Sequence, residues 1–356
     1  MDYKELMQFL QKQNLFDQVS KNCFYFQTIF EQCLNVKDEK VLLVGDLGMD
    51  KRLVAPMALA SYYYAAQRLG LNVDLLIQNV KENDEKADDN ITKAFEDLPN
   101  NSVIVLALSN KLGSISPVAK SFRRFVKAKK HRFVSSPSLG SFLTKHFDDF
   151  ISAIKIDYAS LKKKQQEIKT IFDDGNDLRI TAPSGTDLNF SIKGMQAVSA
   201  DGHYIAEGSG GNIPAGEIYI APDGRNVSGK VVIDGSMRDH VKTRIIKNPI
   251  TLTVENGVVT AIEGGKEAKW LDNSLKIAEQ HAKNKWGIRR LSEFGLGLNP
   301  GAGIVGSTLI DEKTLGTAHV AVGSNYWFGG NVYAIVHYDQ VFKNPNVFVD
   351  GRLLQL

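Results

Sequence analysis

The sequence predicts an α/β protein of two domains, an N-terminal parallel α/β sheet domain followed by a C-terminal β-rich α+β domain. The first domain is predicted because apolar runs alternate with helical patterns through about the first 150 residues, as in a parallel sheet. The second is predicted because strands become short and turn-rich after Leu178. A charged helical segment at residues 155–172 suits an exposed connector between them. We therefore predict domains at residues 1–165 and 166–356.

The N-terminal elements follow from apolar runs and helical spacing. Short apolar runs predict strands at residues 41–44, 73–77, 103–108 and 133–134. Helical patterns lie between them at residues 53–69, 87–97 and 116–129. Gly45 and Gly48 follow the first strand, but the third glycine of a dinucleotide-binding turn is missing. The basic run at residues 120–132 is interpreted as a solvated helix face, with a contact to an anionic partner or substrate carboxylate as the alternative.

The C-terminal elements are mostly short strands. They are predicted at residues 178–182, 188–192, 227–233, 251–254, 258–262, 293–298, 317–322, 332–341 and 347–349. Asn256 and Gly257 separate two of these strands, and Asn-Gly is the strongest two-residue signal for a hairpin. A long helix is predicted at residues 268–286.

Composition narrows the class of protein. The chain has 356 residues, 43% of them hydrophobic and 23% charged, so each half can bury a core. A net charge of +3 does not suggest a nucleic-acid-binding protein. The two cysteines, Cys23 and Cys33, imply no disulfide framework. Because no apolar run reaches the roughly 18 residues of a membrane helix and the N-terminus lacks a signal-peptide core, we expect a cytoplasmic protein with no membrane partner.

Two histidines and an aspartate give the first indication of chemistry. Side chains two apart on a strand share a face, so His337 and Asp339 point the same way. An imidazole beside a carboxylate suits a divalent metal, although a structural hydrogen bond between them explains the pair equally well. His319 would share its strand face with Thr317 and Ala321, whose small side chains leave it room. A buried, hydrogen-bonded histidine would give the same pattern.

Two glutamates extend the candidate set. Glu293 would share a strand face with Gly295, Gly297 and Asn299. Glycine inside a strand is costly unless something approaches the backbone, so a ligand or substrate is expected over this face, with a salt-bridged glutamate as the alternative. Glu217 follows a glycine-rich loop and would enter a strand at the edge of a cleft.

Together the candidates provide two imidazoles and three carboxylates. Such a set suits two divalent ions about 3.5–4 Å apart that share a bridging hydroxide. The C-terminal domain is therefore predicted to bind metal and to be catalytic.

The second half of the sequence resembles the aminopeptidase T family of thermophilic-type metallo-aminopeptidases, which are leucyl aminopeptidase-like enzymes. The similar blocks follow the family's order at residues 185–188 (GTDL), 211–217 (GNIPAGE), 293–299 (EFGLGLN), 311–319 (DEKTLGTAH) and 337–339 (HYD). The N-terminal half resembles the family only in its alternation of predicted strands and helices. The segment between His319 and His337 is shorter than in the family, and Tyr338 replaces its usual tryptophan.

The resemblance implies a hydrolase that releases N-terminal residues from peptides. It places the metal ligands at Glu217, Glu293, His319, His337 and Asp339, and an active-site tyrosine at Tyr326. It implies two divalent ions, zinc or cobalt with manganese as a further option, and a homodimer. A bridging hydroxide would attack the peptide carbonyl, and one of the two glutamates would act as general base where it is not a ligand.

Two other hypotheses remain open at this stage. His319, His337 and Asp339 form a two-histidine, one-carboxylate set, the usual arrangement for non-haem iron(II). A group of ring-opening dioxygenases that act on dihydroxypyridines is similar in fold, and in that case one iron ion would bind. A binding protein without catalytic activity is the third hypothesis, and metal content would distinguish the three.

Overall fold

The computed structural model describes residues 3–82, 85–222 and 226–356. Its α-helices are, in chain order, α1 (Tyr3–Lys12), α2 (Phe16–Thr28), α3 (Val54–Arg68), α4 (Asp89–Asp97), α5 (Phe122–Ala128), α6 (Phe147–Ile154), α7 (Tyr158–Asp174), α8 (Lys266–His281) and α9 (Thr308–Asp311). A π-helical turn lies at Ile29–Cys33, and 3₁₀ turns lie at Leu139–Ser141, Thr144–His146 and Tyr326–Phe328. In the described ranges, every helix is too short or too polar to cross a lipid bilayer.

Strands fall into one parallel and two antiparallel sheets. They are β1 (Val41–Asp46), β2 (Val73–Gln78), β3 (Val103–Ala107), β4 (Arg132–Ser136), β5 (Asp177–Thr181), β6 (Asp187–Ser191), β7 (Val198–Ala200), β8 (Gly210–Asn212), β9 (Glu217–Ile220), β10 (Ser228–Ile233), β11 (Ser236–Arg238), β12 (Thr243–Ile245), β13 (Ile250–Glu255), β14 (Val258–Gly264), β15 (Leu291–Gly297), β16 (Thr317–Gly323), β17 (His337–Lys343), β18 (Asn346–Val349) and β19 (Arg352–Leu353).

The chain divides into two compact units. The first contains the residues up to Tyr158 together with Gly202–Ala215, and the second contains Ala159–Asp201 and Gly216–Leu356. The sequence pattern gave no indication that the segment Gly202–Ala215 belongs to the first unit. This segment contributes β8, which pairs in parallel with β4.

The first unit is built on the parallel sheet, in the order β2-β1-β3-β4-β8. All residues of β1 and β3 are buried, which explains their continuous apolar runs. At the end of β1, the buried carboxylate of Asp46 accepts hydrogen bonds from the backbone N–H of Ser109, at 2.7 Å, and of Gly48, at 2.9 Å. Asp46 therefore ties together the loops that follow β1 and β3.

The basic run at residues 120–132 differs from its prediction in extent. Helix α5 covers only Phe122–Ala128, and residues 132–136 form β4. Arg132 is buried, donates hydrogen bonds to the Leu34 carbonyl and forms an ion pair with Glu39. The end of the run is therefore part of the sheet and not of a solvated helix face.

The second unit contains the two antiparallel sheets, in the orders β14-β13-β10-β6-β5-β18-β19 and β12-β11-β17-β16-β15-β9-β7. Phe294 of β15 lies 5.7 Å from Phe190 of β6, measured between ring centroids, so the two sheets share a core. Since neighbouring strand residues point to opposite faces, Glu293 and Gly295 face away from this core.

The predicted fold class is confirmed, with a parallel α/β sheet in the first unit and β-rich antiparallel sheets in the second. The predicted hairpin is also confirmed, because β13 pairs with β14 across Asn256 and Gly257, both of which have positive φ. The predicted long helix corresponds to α8, which ends at His281.

Candidate metal centre

Strand pairing brings four of the five predicted ligands onto three neighbouring strands. Ala321 of β16 lies opposite Glu293 of β15 on one side and opposite Asp339 of β17 on the other. His319 lies opposite Gly295, two residue pairs further along the sheet. Directly opposed residues share a face, so the register gathers these side chains at one patch of the sheet.

A β-bulge precedes the cluster. The register between β15 and β16 shifts between Leu291 and Glu293, and the Ser292 hydroxyl donates to the Ala321 carbonyl at 3.2 Å. Bulges change the direction of the side chains that follow them and are common next to active sites. This bulge determines which face of the sheet carries Glu293.

The centre of the cluster is the carboxylate of Glu293. In the described part of the chain, ligand atoms of Glu293, His337 and Asp339 all lie within 4.8 Å of one another. His337 Nε2 is 3.1 Å from Asp339 Oδ1 and 3.4 Å from Glu293 Oε2. His319 Nε2 is 3.2 Å from Glu293 Oε1, so both imidazoles point Nε2 at the same carboxylate.

The orientation of His337 is fixed from its other nitrogen. Its Nδ1 lies 2.7 Å from the Ser324 carbonyl oxygen, and because a carbonyl only accepts, Nδ1 carries the proton and donates. This bond leaves Nε2 facing the carboxylates. Metal-binding histidines usually donate their second N–H in this way.

Opposite charges within the cluster shift the pKa values of its histidines and of Asp339 toward their charged forms. Burial lowers the pKa of His337, but the charge of Asp339 and the hydrogen bond to it outweigh burial and raise the pKa to about 10. Burial raises the pKa of Asp339, but the charge of His337 outweighs this and lowers the pKa to about 2. Burial likewise lowers the pKa of His319, and the bond to Glu293 reverses the effect, giving about 9. The buried carboxylates thus attract positive charge, whether it is a proton or a metal ion.

Gly295 has a different role from the one expected. A Cβ atom added to Gly295 would lie 2.2 Å from His319 Cε1, and one added to Gly297 would lie 2.2 Å from the Thr314 carbonyl oxygen. The space above these glycines is therefore filled by the His319 ring and by the loop before β16, not by a ligand or substrate.

Glu217 lies beside the cluster and has a cationic partner. Its Oε2 is 3.8 Å from His319 Nε2, and its Oε1 accepts a hydrogen bond of 3.0 Å from the ammonium of Lys313. Lys313 is fully buried and also contacts the carboxylate of Glu312. Burial, with the charge of Glu217, raises the pKa of Glu312 to about 8.

Sequence reasoning missed Glu312 and Lys313. Adjacent charges of opposite sign after a short helix usually lie at the surface, and a buried lysine is rare. The one available signal was their position in the block DEKTLGTAH, which ends at His319.

Tyr326 lies in the 3₁₀ turn after β16, and 68% of its surface is exposed. Its ring contacts the ring of Tyr333, with centroids 6.1 Å apart. The ring that lies against the cluster belongs to the next residue, Trp327, whose centroid is 4.8 Å from that of the His337 imidazole.

Two solved structures share the fold over nearly the whole chain. The 2,5-dihydroxypyridine dioxygenase of Pseudomonas putida KT2440 superimposes with a TM-score of 0.72 at 17% identity, covering 95% of this chain and 96% of the other. Wild-type AmpT from Thermus thermophilus superimposes with a TM-score of 0.63 at 16% identity, covering 95% and 98%. At this identity the two likenesses show a common scaffold and no more, so the aminopeptidase T scaffold is supported without its activity.

A curated relative and a family model match the C-terminal part of the chain. The 2,5-dihydroxypyridine 5,6-dioxygenase of Pseudomonas putida KT2440 is 23% identical over 204 residues, which cover 55% of this chain and 57% of the relative. The family described as NicX: 2,5-dihydroxypyridine 5,6-dioxygenase matches residues 153–355.

These matches correct the functional predictions. The predicted metallo-aminopeptidase, a hydrolase that acts on peptides, is wrong, because the family match and the relative indicate a dioxygenase. The two zinc, cobalt or manganese ions, predicted from the ligand set and from the resemblance, are wrong as well, because the dioxygenase family indicates a single iron ion. The physical reason for both errors is that imidazoles and carboxylates suit hydrolytic and oxidative metal sites alike. The alternative that the sequence left open, a ring-cleaving dioxygenase, agrees with the findings.

The family match covers more than half of the chain. It includes β15, β16 and β17 and every predicted ligand. The chain therefore belongs to the NicX family of 2,5-dihydroxypyridine 5,6-dioxygenases.

Proposed function

We propose that this protein is a non-haem iron(II) dioxygenase that opens the ring of a dihydroxypyridine. The observation that carries the proposal is the buried cluster of Glu293, His337 and Asp339 inside the stretch that matches the dioxygenase family. The curated relative is named for its action on 2,5-dihydroxypyridine, so this compound is the first to test. The aligned region spans 57% of that relative.

The donor set fits iron(II). One imidazole nitrogen and two carboxylates converge in Glu293, His337 and Asp339, and His319 Nε2 stands 3.2 Å from the far oxygen of Glu293. Imidazole with carboxylate is the ligand combination of non-haem iron oxygenases. In this proposal Glu293, His337 and Asp339 hold the ion, and His319 adds a second imidazole. When bound, iron supplies the one-electron and oxygen chemistry that amino-acid side chains lack.

The remaining residues support this role through position and charge. The Ser324 carbonyl fixes the imidazole of His337, so that its Nε2 stays directed at the site. The single positive charge of Lys313 contacts both Glu217 and Glu312, which reduces the negative charge next to a single divalent ion.

Oxygen uptake tests the proposal. Protein loaded anaerobically with iron(II) should consume one oxygen molecule for each 2,5-dihydroxypyridine ring lost, followed with an oxygen electrode and by ultraviolet absorbance. Zinc-loaded protein should be inactive, because zinc has no redox chemistry. Elemental analysis should give one bound iron ion for each chain.

A pair of aspartate variants controls the experiment. Asp339→Asn should lose iron and oxygen uptake together, because it removes a charged ligand. Asp187→Asn alters an exposed carboxylate of β6 that pairs with Arg179, and it should retain both. Equal uptake with zinc and iron, or full uptake by Asp339→Asn, would contradict the proposal.

A homodimer remains a separate proposal, which sedimentation can test.

A further inference from the structure

The segment between β16 and β17, residues 324–336, exposes four large apolar side chains, three of them aromatic, beside the candidate metal centre. Tyr326 and Tyr333 are each 68% exposed, Trp327 is 58% exposed and Ile335 is 57% exposed. Exposed apolar side chains that cluster on a surface usually mark a binding site, whereas single scattered ones are normal.

Trp327 connects this patch to the metal centre. Its indole lies 4.8 Å from the His337 imidazole in an edge-to-face arrangement, and 5.5 Å from the ring of Phe328. Phe328 in turn contacts Tyr219 of β9 at 5.1 Å. The indole is thus held against a candidate metal ligand by a row of rings while most of its own surface stays open.

The other two tryptophans have a different environment. Arg244 lies 4.6 Å above the ring of Trp270, and Lys266 lies 5.4 Å from the same ring. Arg290 lies 4.1 Å above the ring of Trp286. Cations already cover the faces of these indoles, so they are suitable internal controls for Trp327.

We propose that Trp327 stacks on the planar ring of the substrate and selects heteroaromatic compounds over aliphatic ones of similar polarity. The inference rests on the proposed function, and it adds the residue that recognises the ring. Aromatic rings stack on indole in an offset geometry that needs no hydrogen bonds. A ring seated on Trp327 would lie next to His337, one of the residues that would hold the ion.

Two other roles for Trp327 explain less. A ring that only shields His337 from water would be largely buried, whereas Trp327 exposes 58% of its surface. A docking site for a second copy of the chain would use the patch without requiring contact with a metal ligand. The contact with His337 favours the substrate ring.

Binding under argon tests the inference without turnover. Iron(II)-loaded protein is titrated with 2,5-dihydroxypyridine, and the dissociation constant is measured by quenching of tryptophan fluorescence and by calorimetry. The chain has three tryptophans, so the Trp270→Phe/Trp286→Phe double variant reports on Trp327 alone. We expect saturable quenching in this variant, with an affinity close to that of the unmodified protein.

Substitution of Trp327 should weaken binding selectively. Trp327→Leu keeps an apolar side chain and loses the ring, and the dissociation constant should rise about tenfold, as expected for loss of one stacked ring. Trp327→Phe restores an aromatic face and should recover most of the affinity. Trp270→Leu and Trp286→Leu should bind normally. Circular dichroism and iron content, unchanged in Trp327→Leu, would exclude a folding or metal-loading defect.

Each outcome decides between the hypotheses. If the unmodified protein binds the pyridine and Trp327→Leu binds it equally well, the inference is overturned and the proposed function stands. If the unmodified protein does not bind the pyridine, both are overturned. Trp327→Leu that loses self-association in sedimentation, with unchanged affinity for the pyridine, would assign the patch to a second copy and overturn the inference.

Discussion

His131 shows how strongly the interior of the first unit selects a protonation state. The residue is completely buried against the ring of Phe125, and the Ser102 N–H donates a 3.0 Å hydrogen bond to its Nδ1. Because Nδ1 accepts, the fold requires an imidazole whose Nδ1 carries no proton. Burial, together with the charge of Lys129, lowers the pKa of His131 from its ordinary 6.5 to about 4.

The first unit should therefore lose stability in mild acid. Above pH 6.5 the imidazole is neutral in both folded and unfolded protein, so its contribution is complete. Between pH 6.5 and 4 the unfolded chain takes up a proton that the folded chain does not bind. The free energy of unfolding therefore decreases as the pH is lowered through this range. A shift of this size corresponds to at most about 3 kcal/mol. Denaturant titrations at pH 7 and pH 5, with chelator present, measure the part of this loss that falls between those two pH values.

The control for this prediction is a substitution that keeps the acceptor. His131→Gln retains an oxygen for the Ser102 N–H, has no proton to gain and should show a smaller loss between the two pH values. His281→Gln, at the end of α8, should keep the loss seen in the unmodified protein. An equal loss in His131→Gln would show that other groups cause the acid sensitivity.

Single residues were predictable from sequence where strand periodicity applied. His337 and Asp339 are two apart on β17 and contact each other, as their spacing predicted. Lys313 was not predictable in this way, because its burial depends on Glu217 of β9, which is distant in sequence. His131 was hidden in a basic run whose average character is that of a solvated surface.

At the scale of elements, β15, β16 and β17 leave space for large polar side chains by placing small residues opposite them. Gly295 faces His319, Ala321 faces both Glu293 and Asp339, and Gly323 faces His337. Alternation along each strand keeps Phe294 on the opposite face, in the core between the sheets. The cluster is therefore a property of three paired strands and not of any one of them.

Gly295→Ala should disrupt the metal centre through this packing. The added methyl group would lie 2.2 Å from His319 Cε1, so the imidazole must move away from Glu293. Overpacking of this kind typically costs about 1–3 kcal/mol. We expect a lower thermal midpoint and a smaller bound iron content, measured by calorimetry and elemental analysis.

Gly303→Ala is the matched control for that substitution. Within the described residues, nothing lies within 4 Å of a Cβ atom at Gly303, so this variant should keep both properties. If Gly295→Ala binds as much iron as the unmodified protein, iron binding does not require the His319 ring in the position that the strand pairing gives it.

The elements themselves were largely predictable, and the exceptions depend on tertiary contacts. The Asn256-Gly257 hairpin follows from local turn chemistry and forms as expected. The bulge before Glu293 and the pairing of β8 with β4 involve partners distant in sequence. Local patterns carry no information about such partners, so the sequence could not indicate them.

For the whole molecule, the fold class could be predicted from sequence and the reaction could not. Strand and helix periodicities predict a parallel α/β sheet followed by a β-rich α+β domain, and the structure has both. The reaction depends on how many ions bind and on which substrate reaches them, and residue types and spacing leave both open. The same glutamates and histidines fitted a pair of hydrolytic ions, yet the family match indicates a dioxygenase.

The last prediction concerns where metal binding stabilises the molecule. All candidate ligands lie in the second unit, on β9, β15, β16 and β17. An ion that binds only the folded state adds about 2.7 kcal/mol at a free concentration one hundred times its dissociation constant. Iron(II) under argon should therefore slow amide hydrogen exchange in these strands by up to about a hundredfold, with a smaller effect in β1–β4. Mass spectrometry of peptic fragments measures both regions at once.

Asp339→Asn should lose the protection, because it lacks a charged ligand of the ion. Protection centred on β1–β4, or retained in Asp339→Asn, would show that the ion binds elsewhere in the chain.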